Sequence, residues 1–122
     1  MRSVVWLILA AAACGCGNPA GDASGGPQVF QSVCAACHGP AGKPDAALVA
    51  RLGVRDLTAQ EFRARVTLQL VEHQVRAGSQ NKLMPSFEGA LDDAQIRAVA
   101  AYVASSTFPA GDGVTLGNRS AP

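Results

Sequence analysis

The chain has 122 residues, a formal net charge of +1, and charged side chains at 16% of positions. With no basic patch and no acidic block, it lacks the electrostatic footprint of a nucleic-acid binder, and nothing selects a strongly charged protein partner. No alternating apolar and polar run marks a β-strand, so an all-α fold is expected.

The N-terminus does not read as part of that fold. Met1-Arg2 gives a positive start, Val4 to Ala13 is uninterruptedly apolar, and small residues follow. This is the layout of a secretory signal over residues 1–16, too short to cross a bilayer as a stable helix. Ala11-Ala12-Ala13-Cys14 resembles a bacterial lipoprotein cleavage box, although the usual Leu three places before the cysteine is absent. Cys14 is the lipidation candidate, Cys16 the alternative, and ordinary cleavage the third outcome. Residues 17–26, rich in Gly, Ser, Asn and Pro, have the makeup of a flexible linker spanning roughly 17 Å as a coil. What remains is one domain of about one hundred residues, a size that is marginal without a cofactor to pack around.

A first helix is expected from Pro27, a residue suited to the first helical position. It runs through Val29, Phe30 and Val33 into Cys34-Ala35-Ala36-Cys37-His38 and stops at Gly39-Pro40. C-x-x-C-H is the form taken by covalent c-type haem attachment. Two thiols on one helical turn each bond one arm of the porphyrin, and the following imidazole reaches the iron as proximal ligand. A disulfide-exchange pair would follow a strand, and zinc would need a second pair of ligands downstream; neither is present. With Cys14 and Cys16 in or beside the signal, no structural disulfide is expected.

Residues 41–57 read as a connection with an apolar patch at Leu48, Val49 and Leu52. A second helix is expected over 58–77, with Thr58 and Glu61 forming a capping box and Gly78 ending it. Residues 79–90 read as a loop around Met84-Pro85. The last helix covers about 93–105, capped by Asp92 with Gln95 completing the box, and buries Ile96, Val99, Ala100 and Val103 at helical spacing. Residues 27–108 thus form the domain, and 109–122 lack periodicity and read as a mobile tail.

The proximal ligand is His38, and candidates for a second axial ligand are few. Met84 is the only methionine once Met1 is removed, and Pro85 restricts it to extended backbone, which stiffens the loop that presents the sulfur. Leu83 and Phe87 are placed to exclude water. His73 shares a helical side with Phe62, Val66 and Leu70, so it reads as a partly buried histidine or a haem-propionate partner rather than a ligand.

These residues resemble the class I, mitochondrial-type c-type cytochromes of the small bacterial monohaem kind. The resemblance covers residues 26–105: Gly26-x-x-x-Phe30 before Cys34-x-x-Cys37-His38-Gly39, then Val75-Arg76-Ala77-Gly78 with Met84-Pro85-Ser86-Phe87, then Ala101-Tyr102-Val103. It implies three to four short helices around one covalent haem c, with Gly26, Phe30 and Tyr102 at the crossing of the terminal helices. It further implies a monomeric electron carrier outside the cytoplasm, between transient partners such as a reductase complex and a terminal oxidase; a lipid tether would come from the signal segment alone. Rival readings are a haem subunit of an oxidoreductase or peroxidase, and a gas sensor with a labile Met84. One feature departs from the family. The proline whose carbonyl usually accepts the proximal imidazole N–H is missing, since that region reads Ala47-Leu48-Val49-Ala50 with Pro44 nearest, so the acceptor for His38 is left open.

Overall fold

In the computed structural model the described residues are 17–109; the signal segment with Cys14 and Cys16, and the tail from residue 110, lie outside them. The fold is all-α, with five helical segments and no strand among the described residues. Helix α1 spans 26–38, α2 Ala46–Leu52, α3 Gln60–Arg63, α4 Leu68–Ala77 and α5 Asp93–Ala104. Pro27 lies in the first turn of α1. A π turn over Phe30–Cys34, closed by the Ala35 N–H on the Phe30 carbonyl, interrupts α1 just before the second cysteine. Such wide turns are frequent at functional sites.

The core sits where α1 crosses α5. A Cβ on Gly26 would press on the Ala98 carbonyl and stand 2.6 Å from Tyr102 Cβ, so only glycine permits this approach. Behind it Val29, Phe30, Ile96 and Val99 are at most 1% exposed, each contributing roughly 1.5–3 kcal/mol of burial. Phe30, Tyr102 and Phe108 form a three-ring cluster with centroids 5.1–5.7 Å apart, all edge to face, the geometry that aromatic quadrupoles favour.

Both ends of α5 are tied down. The Asp92 carboxylate accepts from the Gln95 N–H at 2.8 Å, and Gln95 Oε1 accepts from the Asp92 N–H at 3.1 Å, completing the expected capping box. Gln95 is the one buried polar side chain of the described core, and its amide also donates to the carbonyls of Gly21 (3.1 Å) and Ala23 (2.7 Å). Asn18 bonds the same side chain, and Ala20 is buried. Much of the stretch expected as a free linker is therefore a strap held against the start of α5. At the other end Arg63 donates to the carbonyls of Val103 (2.7 Å) and Ser105 (2.6 Å) and lies 5.3 Å over the Phe108 ring. Its charge sits at the negative end of the helix dipole, where cations stabilise.

Two expectations about the middle of the chain are corrected. The helix expected over 58–77 is two helices, because the Thr67 hydroxyl accepts from the Leu70 N–H at 3.1 Å and caps a fresh start. Thr58 caps nothing: its hydroxyl and its N–H both donate to Asp56, which closes a local turn and holds that carboxyl below its usual pKa. The stretch 41–57 also contains α2, which Asp45 caps through the Ala47 N–H at 2.8 Å and Gly53 closes at φ +64. The apolar patch at Leu48, Val49 and Leu52 belongs to this helix, none of whose residues is fully buried, and it was too short a run to set a helical period.

Replacing Gly26 by Ala should cost about 1–3 kcal/mol through overpacking, read as a lower denaturant midpoint of the haem-loaded protein. An unchanged midpoint would contradict the close crossing.

Candidate functional site

One side of the α1/α5 pair opens into a cavity of about 590 Å³. Cys34, Cys37 and His38 reach it from α1, Leu70, Val71 and Val75 from α4, Val99 and Val103 from α5, and Met84 and Phe87 from the loop that follows Gly78. The four residues singled out by sequence therefore meet at one predominantly apolar space.

His38 is oriented by a contact that the sequence left open. Its Nδ1 lies 3.0 Å from the Arg55 carbonyl oxygen. A carbonyl only accepts, so Nδ1 carries the proton and Nε2 keeps its lone pair for a metal. Arg55 can serve because residues 53–56, after Gly53 ends α2, lie outside helices, so its carbonyl is not spent on a helical bond. The Leu57 N–H donates to the Gly42 carbonyl at 2.9 Å and pins this segment beside the turn that leaves α1. Burial pushes the imidazole pKa below its usual value, and the Arg55 carbonyl opposes that shift.

Cys34 is half-buried and Cys37 exposed, and neither is in a disulfide. Burial, with a smaller contribution from Cys37, pushes the Cys34 thiol up to about 11. It is thus a neutral thiol at physiological pH rather than a thiolate poised for redox exchange.

Met84 is half-buried in a loop stapled to the end of α4. The Ser79 N–H donates to the Met84 carbonyl at 2.9 Å, the Phe87 N–H to the Val75 carbonyl at 3.0 Å, and the Ser86 hydroxyl to the Arg76 carbonyl. Gly78 makes this possible: at φ +72 and ψ −171 its ideal Cβ would stand 2.7–2.8 Å from the backbone of Met84, Pro85 and Ser86. Arg76 ties the same region to α5, meeting Glu72 at 3.0 Å, Glu88 at 2.8 Å and Asp93 at 2.9 Å. The hydrogen bonds it donates, to Glu88 first, then to Asp93 and Glu72, raise its pKa further.

His73 is exposed and does not line the cavity, which corrects its reading as a partly buried histidine beside the haem. The register that puts Val71 and Val75 inward turns position 73 outward.

A family model described as "Cytochrome C oxidase, cbb3-type, subunit III" matches residues 21–103. Cytochrome c6 of Tetradesmus obliquus is 35% identical over 82 residues, covering 67% of this chain and 88% of that protein. Cytochrome c6 of a Picosynechococcus species is 38% identical over 95 residues, covering 72% and 78%. The chain is a small class I c-type cytochrome. A solved structure, the KustC0563 c-type cytochrome, shares the fold with a TM-score of 0.58 at 24% identity, covering 66% of this chain and 94% of its own.

Membership brings one covalently bound haem c and haem-based electron transfer as the protein's chemistry. The residues present fit that group. The cavity falls within the range of about 300–1,000 Å³ usual for cofactor sites, and its donors are two thiols, an imidazole with its lone pair available and a thioether sulfur. Sequence reasoning missed Arg55 because it acts through its backbone carbonyl, and Ser79 and Arg63 because their partners are backbone groups that only the fold brings near. An oxygen accepting a hydrogen bond leaves no residue-type signature. Gly78, by contrast, was visible as a helix stop.

Replacing Gly78 by Ala should cost roughly 2–4 kcal/mol, since this φ/ψ region is nearly glycine-only and the methyl group meets backbone. Denaturant unfolding of the loaded cytochrome checks this, and a loss below about 1 kcal/mol would contradict the contact.

Proposed function

We propose that this cytochrome is a single-electron carrier outside the cytoplasm and not an enzyme, with haem held by thioethers to Cys34 and Cys37 and its iron ligated by His38 and Met84. The observation that carries the reading is the convergence of these four side chains on one apolar cavity, with His38 turned by the Arg55 carbonyl so that Nε2 is available. Bound haem supplies one-electron exchange between ferric and ferrous iron, at a potential that a methionine ligand raises.

The chain's own residues do the rest. The Arg55 carbonyl fixes the His38 tautomer and increases its basicity as a ligand. Val71, Val75, Val99 and Val103 give the cavity a low dielectric and keep water from the iron. The stapled loop presents Met84 with little freedom to move, and fixed coordination limits rearrangement when iron changes oxidation state. Partners such as a reductase complex and a terminal oxidase would be met through small, transient contacts, with the cytochrome acting as a monomer.

A second reading has one observation in its favour. The matching family model is described as an oxidase subunit, so this domain could work as a fixed subunit of a larger oxidoreductase. Purification from native membranes separates the two: a carrier elutes alone, and a subunit co-elutes with catalytic polypeptides.

Localisation at a membrane would follow from acylation at Cys14, or at Cys16 in its place. Mass spectrometry of the mature N-terminus should find a lipid-modified cysteine and extraction should require detergent; an unacylated, water-soluble product would refute the anchor. No helix among the described residues is long and apolar enough to cross a membrane.

Met84→Ala should abolish the ferric sulfur-to-iron charge-transfer band, and ferrous Met84→Ala should bind carbon monoxide that the parent protein resists at neutral pH. Ready binding by the parent would favour the peroxidase or sensor alternative.

A further inference from the structure

The apolar anchorage of the loop that carries Met84 is limited to Met84 itself and Phe87, both partly buried against the core. Leu83 is 53% exposed, and Pro85 and Ser86 are also exposed. What closes the loop is polar. The backbone of Ser79 donates to the Met84 carbonyl at 2.9 Å, and the Ser79 Oγ accepts from the Met84 N–H at 3.0 Å. The Ser79 hydroxyl proton is directed to Asn81 Oδ1 at 2.6 Å, which leaves the oxygen's lone pairs for Met84. The same Asn81 oxygen accepts from the Leu83 N–H at 3.1 Å, and the Lys82 N–H donates to the Ser79 carbonyl at 3.0 Å while Lys82 itself sits at φ +62. Side chains thus supply three of these five bonds within residues 79–84.

We propose that Ser79, oriented by Asn81, is the positioning residue for the Met84 sulfur, a role that rests on Met84 being an iron ligand. Ser79 lines the same cavity, and in this role it acts through the Met84 backbone. It acts by fixing the backbone from which the thioether projects, so that the sulfur returns to the same place after each thermal excursion. Without the hydroxyl, the Met84 N–H loses its acceptor and turns to water. The sulfur then competes less well with an added ligand.

The test uses the full haem-loaded protein in the ferric state, titrated with imidazole while the sulfur-to-iron charge-transfer band is followed. Ser79→Ala should raise the apparent imidazole affinity about threefold to tenfold, the scale of one lost hydrogen bond, and Ser79→Thr should leave it within roughly twofold of the parent. If Ser79 served the fold alone, Ser79→Ala would lower the melting midpoint and leave imidazole affinity unchanged, and that result overturns the proposal. Should Ser79→Ala fail to retain haem, Asn81→Ala carries the same expectation at smaller size, and an unchanged affinity there overturns it equally. A parent protein with no charge-transfer band would instead remove Met84 as a ligand, a failure of the underlying reading that is distinct from these.

Discussion

Everything in this cytochrome is arranged around one close approach, that of α1 to α5 at Gly26. The absence of a Cβ lets the helix bearing both cysteines and His38 lie against the backbone of Ala98. That contact fixes the height and rotation of α1, and with them the direction in which the cysteines and His38 face. The surrounding devices all protect the same crossing. Gln95 straps residues 18–23 over one end of α5, Arg63 closes the carbonyls at the other, and Phe108 wedges against Phe30 and Tyr102. A small domain has few side chains to spare, and here most of the fully buried ones belong to these two helices.

The two sides of the candidate site are controlled by different means. His38 is set by a backbone acceptor, the Arg55 carbonyl, presented by a segment between α2 and α3. Met84 is set by a loop bound to the end of α4. The first needs no particular side chain at the point of contact, because a backbone carbonyl accepts from His38; the second uses the Ser79 hydroxyl. Both depend on where glycine allows the chain to turn: Gly53 ends α2 ahead of Arg55, and Gly78 brings Met84–Ser86 back against α4. Rigidity of this kind suits a site whose work is to change oxidation state with little movement.

The sequence was legible where chemistry is written in residue types at fixed spacing. Cys34-x-x-Cys37-His38, the Asp92–Gln95 box and the buried stripe of α5 all stand in the structure at the positions their spacing implies. It was illegible where local hydrogen bonds decided between near-equal alternatives. Thr67 divides an apparently continuous helix, and Asp45 begins one too short for Leu48, Val49 and Leu52 to set an apolar period. The stretch 17–26 read as a linker because its small and polar residues carry no packing signal, yet the Gly21 and Ala23 carbonyls are what Gln95 binds. His73 shows the reverse error, a residue whose type invited a role that the register of α4 denies it.

On the proposed function, His38 and Met84 together complete the coordination of one iron. Proton NMR of the ferrous protein tests it most directly, because a ligated methionine methyl lies within the porphyrin ring current. The account predicts one three-proton resonance displaced far upfield of every other methyl group in the chain. A ferrous spectrum with no such resonance would contradict it.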